Sequence, residues 1–74
     1  MDKILKQHNF KHIESENYNG MYKKTYRKFR KGNKYIVKVF PDTKRFQIVF
    51  MEKLVCSGTE KDLDQAIKSL KLNK

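Results

Sequence analysis

A chain of 74 residues with 18 Lys and Arg against 8 Asp and Glu carries a net charge of +10. A chain this short makes one domain, 1–74, that buries only about 60% of its unfolded surface, which leaves no room for a large catalytic cavity. Charged residues make up 35% and hydrophobic residues 38%, but four Tyr and five Phe in periodic segments point to a folded basic domain rather than a disordered tail.

In chain order, Asp2 to Asn9 places Ile4, Leu5 and His8 on one side of a short opening helix. Met1 to Phe10 has no continuous apolar core and no small-residue cleavage site, so no secretory signal is expected. Asn19-Gly20 is a two-residue hairpin signal between His12 to Tyr18 and Met21 to Phe29. Tyr18, Tyr22, Tyr26 and Phe29 also fall at helical spacing, but Asn19-Gly20 interrupts that helix, so residues 21 to 30 are assigned to strand. Lys31-Gly32-Asn33 makes a further turn. Lys34 to Phe40 and Arg45 to Met51 flank Pro41-Asp42-Thr43-Lys44 as a second hairpin. In its second arm Phe46, Ile48 and Phe50 alternate with Gln47, Val49 and Met51, and the first set is assigned to the core. In its first arm Tyr35, Val37 and Val39 share one face, while Ile36, Lys38 and Phe40 share the other. Leu54 to Cys56 returns as a short strand before Ser57-Gly58 releases the chain.

Thr59 then caps a helix over residues 60 to 72, with Leu63, Ala66, Ile67 and Leu70 in one apolar stripe. Glu60, Asp62 and Asp64 at its start and Lys68, Lys71 and Lys74 at its end suit the helix dipole. The expected fold is α+β: an antiparallel meander of three to five strands, with the C-terminal amphipathic helix packed on one face and a short N-terminal helix.

The charge is not evenly spread. Residues 1 to 20 balance, and residues 46 to 74 hold one surplus positive charge. Residues 21 to 45 hold Lys23, Lys24, Arg27, Lys28, Arg30, Lys31, Lys34, Lys38, Lys44 and Arg45 against Asp42 alone. Tyr22, Tyr26 and Tyr35 lie in the same segment, with Tyr18 beside it. Cations displace counterions from phosphates and aromatic rings stack on unpaired bases, so this pattern suits DNA or RNA. The expected contacts are Lys23, Lys24, Arg27, Lys28, Arg30, Lys31, Lys34, Lys38 and Arg45, with Tyr22 and Tyr26. Strand residues alternate between faces, so about half would reach one ligand. Fifteen lysines against three arginines favour attraction to the backbone over base-specific readout.

The alternative is a small inhibitor or adaptor of the kind phages and mobile elements encode, docking its basic face on an acidic host protein. An exposed strand edge would also allow a homodimer.

In its order of parts, a basic three-stranded stretch followed by Gly58-Thr59 and an amphipathic helix, the segment from Tyr26 to Leu70 resembles the sheet-plus-helix DNA-binding domains of AP2 factors and of some phage and transposon integrase arms. That resemblance implies strands entering a major groove, although the tryptophan and arginine pattern of AP2 domains is absent. A double-stranded-RNA-binding fold would need a basic start to the last helix, where this chain is acidic.

No enzymatic activity is expected, and no cofactor. His8 and His12 are four apart but no third metal ligand accompanies them. Asp42 with Glu52-Lys53 lacks the Glu-x-Lys spacing of a metal-dependent nuclease. Ser15, Ser57 and Ser69 lack a nearby His and Asp pattern, and no glycine-rich phosphate loop is present. The longest apolar run, Ile48 to Met51, is far short of the ~20 residues that cross a bilayer, so no membrane partner is expected. The single Cys56 fits a reducing, cytoplasmic setting, including that of a phage-infected host.

Overall fold

Period-two alternation through the middle of the chain sets the frame, and the turn residues set where it folds back. The computed structural model describes residues 1–72, apart from the side chain of Tyr18. Helix α1 spans Asp2–Gln7, and strands β1 to β5 span Lys11–Tyr18, Met21–Arg30, Asn33–Phe40, Arg45–Phe50 and Lys53–Thr59. A 3-10 turn, Glu60–Asp62, then leads into helix α2, Leu63–Ser69. The strands form one antiparallel sheet in the order β1-β2-β3-β4-β5. This is the α+β meander expected from the sequence, with residues 21 to 30 as strand.

Two of the hairpins turn where the sequence says they should. Asn19 and Gly20 have φ of 50° and 80°, and Lys31 and Gly32 have φ of 51° and 79°. Positive φ at both central residues defines the turn whose twist matches the flanking strands. The β4–β5 connection has the same geometry, with φ of 53° at Met51 and 63° at Glu52. Neither residue favours that region, where an L side chain costs about 1–2 kcal/mol. Met51, assigned to a strand from its sequence, is therefore a turn residue, because Phe50 pairs directly with Lys53.

The β4–β5 pair is longer than expected, since β5 continues through Ser57 and Gly58 to Thr59. Gly58 sits opposite Phe46, and a Cβ there would lie 3.1 Å from Asp62 Oδ2 and 3.3 Å from the Phe46 ring. Glycine lets the sheet, the aromatic ring and the helix start approach this closely. Asp62 Oδ2 accepts hydrogen bonds from Thr59 N at 3.3 Å and Thr59 Oγ1 at 3.1 Å. The capping chemistry read at Thr59 is thus present, but it closes a 3-10 turn, and the α-helix itself begins only at Leu63. Lys74, assigned to the end of the helix, lies outside the described residues.

Both helices cover the same face of the sheet. Leu5 and Phe10 from the N-terminal segment and Leu63, Ala66, Ile67 and Leu72 from the C-terminal segment pack on Tyr26, Val37, Val39, Phe46 and Ile48. Phe46 and Ile48 face the core as their alternation requires. A hydrogen bond of 2.8 Å between His8 Nε2 and Asp64 Oδ1 ties the end of α1 to the first turn of α2. Asp64 also meets Lys68 at 3.0 Å. His8, first, and then Lys68 hold the Asp64 carboxyl below its ordinary pKa.

Candidate nucleic-acid interface

The sheet has a second face that no helix covers. Pairing registers assign residues to it without ambiguity. One row across the strands runs Lys11, Arg27, Ile36, Val49, Leu54. The next runs Thr25, Lys38, Gln47, Ser57. Phe29 and Lys34 pair beyond the first row, and Phe40, Arg45 and Thr59 pair beyond the second. Lys23 stands on the same face, opposite Glu16 of β1.

Of the expected contact residues, Lys23, Arg27, Lys34, Lys38 and Arg45 therefore share this open face. Lys23 is paired with Glu16 at 3.4 Å, whereas Arg27, Lys34, Lys38 and Arg45 make no ion pair among the described residues. The Arg27 guanidinium carbon lies 5.2 Å from the centre of the Phe29 ring, which is 60% exposed. A cation beside a solvent-facing ring is an arrangement that both phosphate and base can use. Lys31 is exposed at the β2–β3 turn, at the end of this face.

The remaining expected residues point the other way. Tyr22, Lys24, Tyr26, Lys28 and Arg30 alternate with the open-face set along β2 and stand on the helix-covered face. Tyr22 and Lys24 lie at its rim, with Lys24 Nζ 5.8 Å from the centre of the Tyr22 ring. Arg30 is half-buried at the end of β2.

Tyr26 and Lys28 are interior residues rather than surface contacts. Tyr26 is 1% exposed, and its hydroxyl donates to Asp2 Oδ1 at 2.5 Å. Burial, reinforced by Asp2, raises the Tyr26 pKa, and the hydrogen bond from Tyr26 is the largest cause lowering that of Asp2. Lys28 is 7% exposed, its Nζ donates to the carbonyl of Leu72, and it sits 5.6 Å from the centre of the Phe10 ring. Burial lowers its pKa, with Arg30 adding repulsion. The reason for both placements is parity: a buried strand position spaced two from Tyr26 belongs to the core face, whatever its charge.

Sequence reasoning missed Lys11 and Phe29 on the open face, and it placed Phe40 on the face of Lys38 without counting it as a contact. Lys11 lies in a segment of zero net charge, and only the register that sets it against Arg27 reveals it. Strand alternation alone puts Phe29 on the face of Arg27 and Phe40 on the face of Lys38.

One edge of the open face is acidic. Glu14 and Glu16 stand two apart on β1, and the Glu16 side chain raises the Glu14 pKa. Glu16 is held below its ordinary value by Glu14 and then by Lys23. The positive part of this face is thus confined to β2, β3 and β4, with Lys11 at one corner.

Among the described residues no group of three His, Cys, Asp or Glu is placed to hold a metal ion. His8 is engaged by Asp64, while His12 lies on β1, 5.1 Å from the Tyr26 ring centre. Asp42 and Glu52 lie in the turns at opposite ends of β4, about 20 Å apart for a six-residue strand. One contact was not foreseen: Ser15 Oγ lies 2.8 Å from His12 Nε2. That nitrogen also lies 2.9 Å from the carbonyl oxygen of Glu14. A nitrogen that donates its proton to a carbonyl has no lone pair with which to activate a serine.

Comparison with protein-family models, curated proteins and solved structures finds no match for the chain. The likeness to AP2 and integrase-arm domains thus rests on the order of elements alone. No helix among the described residues is long and apolar enough to cross a membrane.

Proposed function

We propose that this protein is a non-catalytic nucleic-acid-binding domain that meets DNA or RNA with the helix-free face of its sheet. One observation carries it: Arg27, Lys34, Lys38 and Arg45 share that face without ion-pair partners among the described residues, beside an exposed aromatic ring. Four cations held by a rigid sheet meet a run of phosphates at little conformational cost, and the released counterions drive association. Few arginines and no helix on that face favour attraction to the backbone over base-specific readout. Cys56, half-buried against the core as a free thiol, supports a reducing, cytoplasmic setting.

Binding of fluorescein-labelled oligonucleotides, followed by anisotropy across a salt series, tests this. Four phosphate contacts give a slope of log K on log salt of roughly −3 for a single strand and −4 for a duplex. Absence of binding to either at low salt removes the proposal.

A protein partner has one observation of its own. The outer edge of β5 carries no charge from Leu54 to Thr59, and Leu54 and Val55 are exposed. The opposite edge, β1, bears Lys11, Glu14 and Glu16, which discourage strand pairing. Capture of an acidic protein that survives nuclease treatment, or a homodimer through β5, would favour the docking role.

A further inference from the structure

We infer that the open face seats unpaired bases, so that the nucleic acid it takes is single-stranded; this rests on the nucleic-acid role proposed above. At the end of the sheet where the β2–β3 and β4–β5 turns lie, the open face is hollow, with a volume of about 930 Å³. Ile36, Val49, Leu54 and Met51 give it apolar walls, and Lys34, Lys38, Asn33 and Gln47 give it polar ones, with the carboxylate of Glu52 at the turn leaving a net positive lining. The hollow is a depression open to solvent rather than an enclosed cavity, so a flat ring can enter it from above the sheet.

The mixture of walls selects the occupant. A bare polyanion would gain from the two lysines but leave the apolar side chains wet. An uncharged apolar molecule would bury them but leave Lys34 and Lys38 without counterparts. A nucleotide with its base unpaired satisfies both, because its flat ring buries apolar surface while its phosphate meets a cation. Duplex bases are stacked inside and turn only sugars and phosphates outward along the backbone. A hollow also cannot enter a major groove, which admits a convex element such as a helix or a two-stranded ribbon. The strands-in-groove arrangement implied by the layout of AP2 domains is therefore unsuited to this face.

Phe29 extends the seat. It pairs in register with Lys34, and the guanidinium of Arg27 lies beside its ring. A base stacked on the Phe29 ring face that Arg27 leaves open would have its neighbouring phosphates within reach of Arg27 and Lys34, and the next base would fall toward the hollow. The acidic pair Glu14 and Glu16 repels a strand from the β1 side, leaving a path over β2, β3 and β4.

The test uses a fluorescein-labelled 12-nucleotide oligothymidylate, a 12-base-pair duplex, and an oligomer of the same length whose sugars lack bases. With one or two bases seated, the oligothymidylate binds at least about fivefold more tightly than the abasic oligomer, since stacking of one base contributes about five- to 150-fold. It also outcompetes the duplex at equal phosphate concentration. Phe29→Ala and Leu54→Ala each reduce the oligothymidylate affinity several-fold and leave the abasic oligomer unaffected. Equal affinity for oligothymidylate and abasic oligomer overturns the base seat while leaving phosphate binding intact. No binding to any of the three at low salt overturns the nucleic-acid role itself. The abasic comparison needs no substitution, so it decides the matter even if a variant fails to fold.

Discussion

Tyr26 and Arg27 are neighbours in the chain and lie on opposite sides of one sheet. Tyr26 is sealed beneath the helices with its hydroxyl on Asp2, while the guanidinium of Arg27 lies beside an exposed phenylalanine. The same division runs along the whole strand, with Lys28 buried and Phe29 exposed. On the helix-covered face even a lysine is recruited to hold the fold together, and on the open face even a phenylalanine is left to solvent. Polarity alone therefore does not tell which residues of this segment build the core and which are left open to a partner; parity along the strand does.

The sharpest way to break that contrast is to remove equal amounts of side chain from each face. Ile48→Ala in the core should cost about 2–5 kcal/mol, enough to leave so small a domain largely unfolded. Leu54→Ala, one strand away on the open face and 57% exposed, should cost less than about 1 kcal/mol by denaturant unfolding, since most of its side chain stays in solvent in the folded protein. Similar losses from both would mean that the open face is covered.

Lys28→Met gives the next largest effect. Methionine keeps an unbranched apolar side chain in place of the lysine stem but the Leu72 carbonyl loses its donor, which should destabilise by about 1–3 kcal/mol. The salt dependence of nucleic-acid binding should not change, because the amine never meets solvent phosphates. A reduced slope with full stability would place Lys28 among the proposed phosphate contacts.

A gain of about 1 kcal/mol is expected from Met51→Asn with Glu52→Gly, which place turn-forming residues at the two positive-φ positions of the β4–β5 hairpin. Thermal unfolding measures it, and a loss of stability would show that the turn tolerates its residues without strain.

The smallest effect is that of acid. Asp2 and Asp64 both have pKa values lowered in the folded protein, so their stabilising contribution is complete above the unfolded carboxylate pKa of about 4. It is lost as pH falls through the lowered folded values. The melting temperature should be level from neutral pH to about 5 and decline below about 4, less steeply in Asp2→Asn with Asp64→Asn. A flat profile into strong acid would mean that neither carboxylate ties the helices down.

Much of the fold was legible because local signals agreed. Asn19-Gly20 and Lys31-Gly32 announced their turns, and the alternation of Phe46, Ile48 and Phe50 announced the buried face of β4. The Met51–Glu52 turn was hidden because its residues are not turn formers, and the register of β4 against β5 imposes it. The basic segment was legible as a cluster in sequence, but its division into an open-face set and a core-facing set was not. Alternation predicted that roughly half would share a face, without saying which half the helices cover. Lys28 shows why: its fate depends on Leu72, 44 residues away, and on Phe10. Long-range packing of that kind leaves no mark on the local pattern.

The most direct measurement compares two neutralised variants in the same salt titration on oligothymidylate. Arg27→Gln, Lys34→Gln and Lys38→Gln together remove three open-face cations, and Lys24→Gln with Arg30→Gln removes two from the helix-covered side. The open-face variant should lose about two units of slope, at about 0.7 per phosphate contact, with its melting temperature unchanged. The other should keep the wild-type slope. Equal losses from both, or a loss only from the second, would contradict the assignment of binding to the helix-free face.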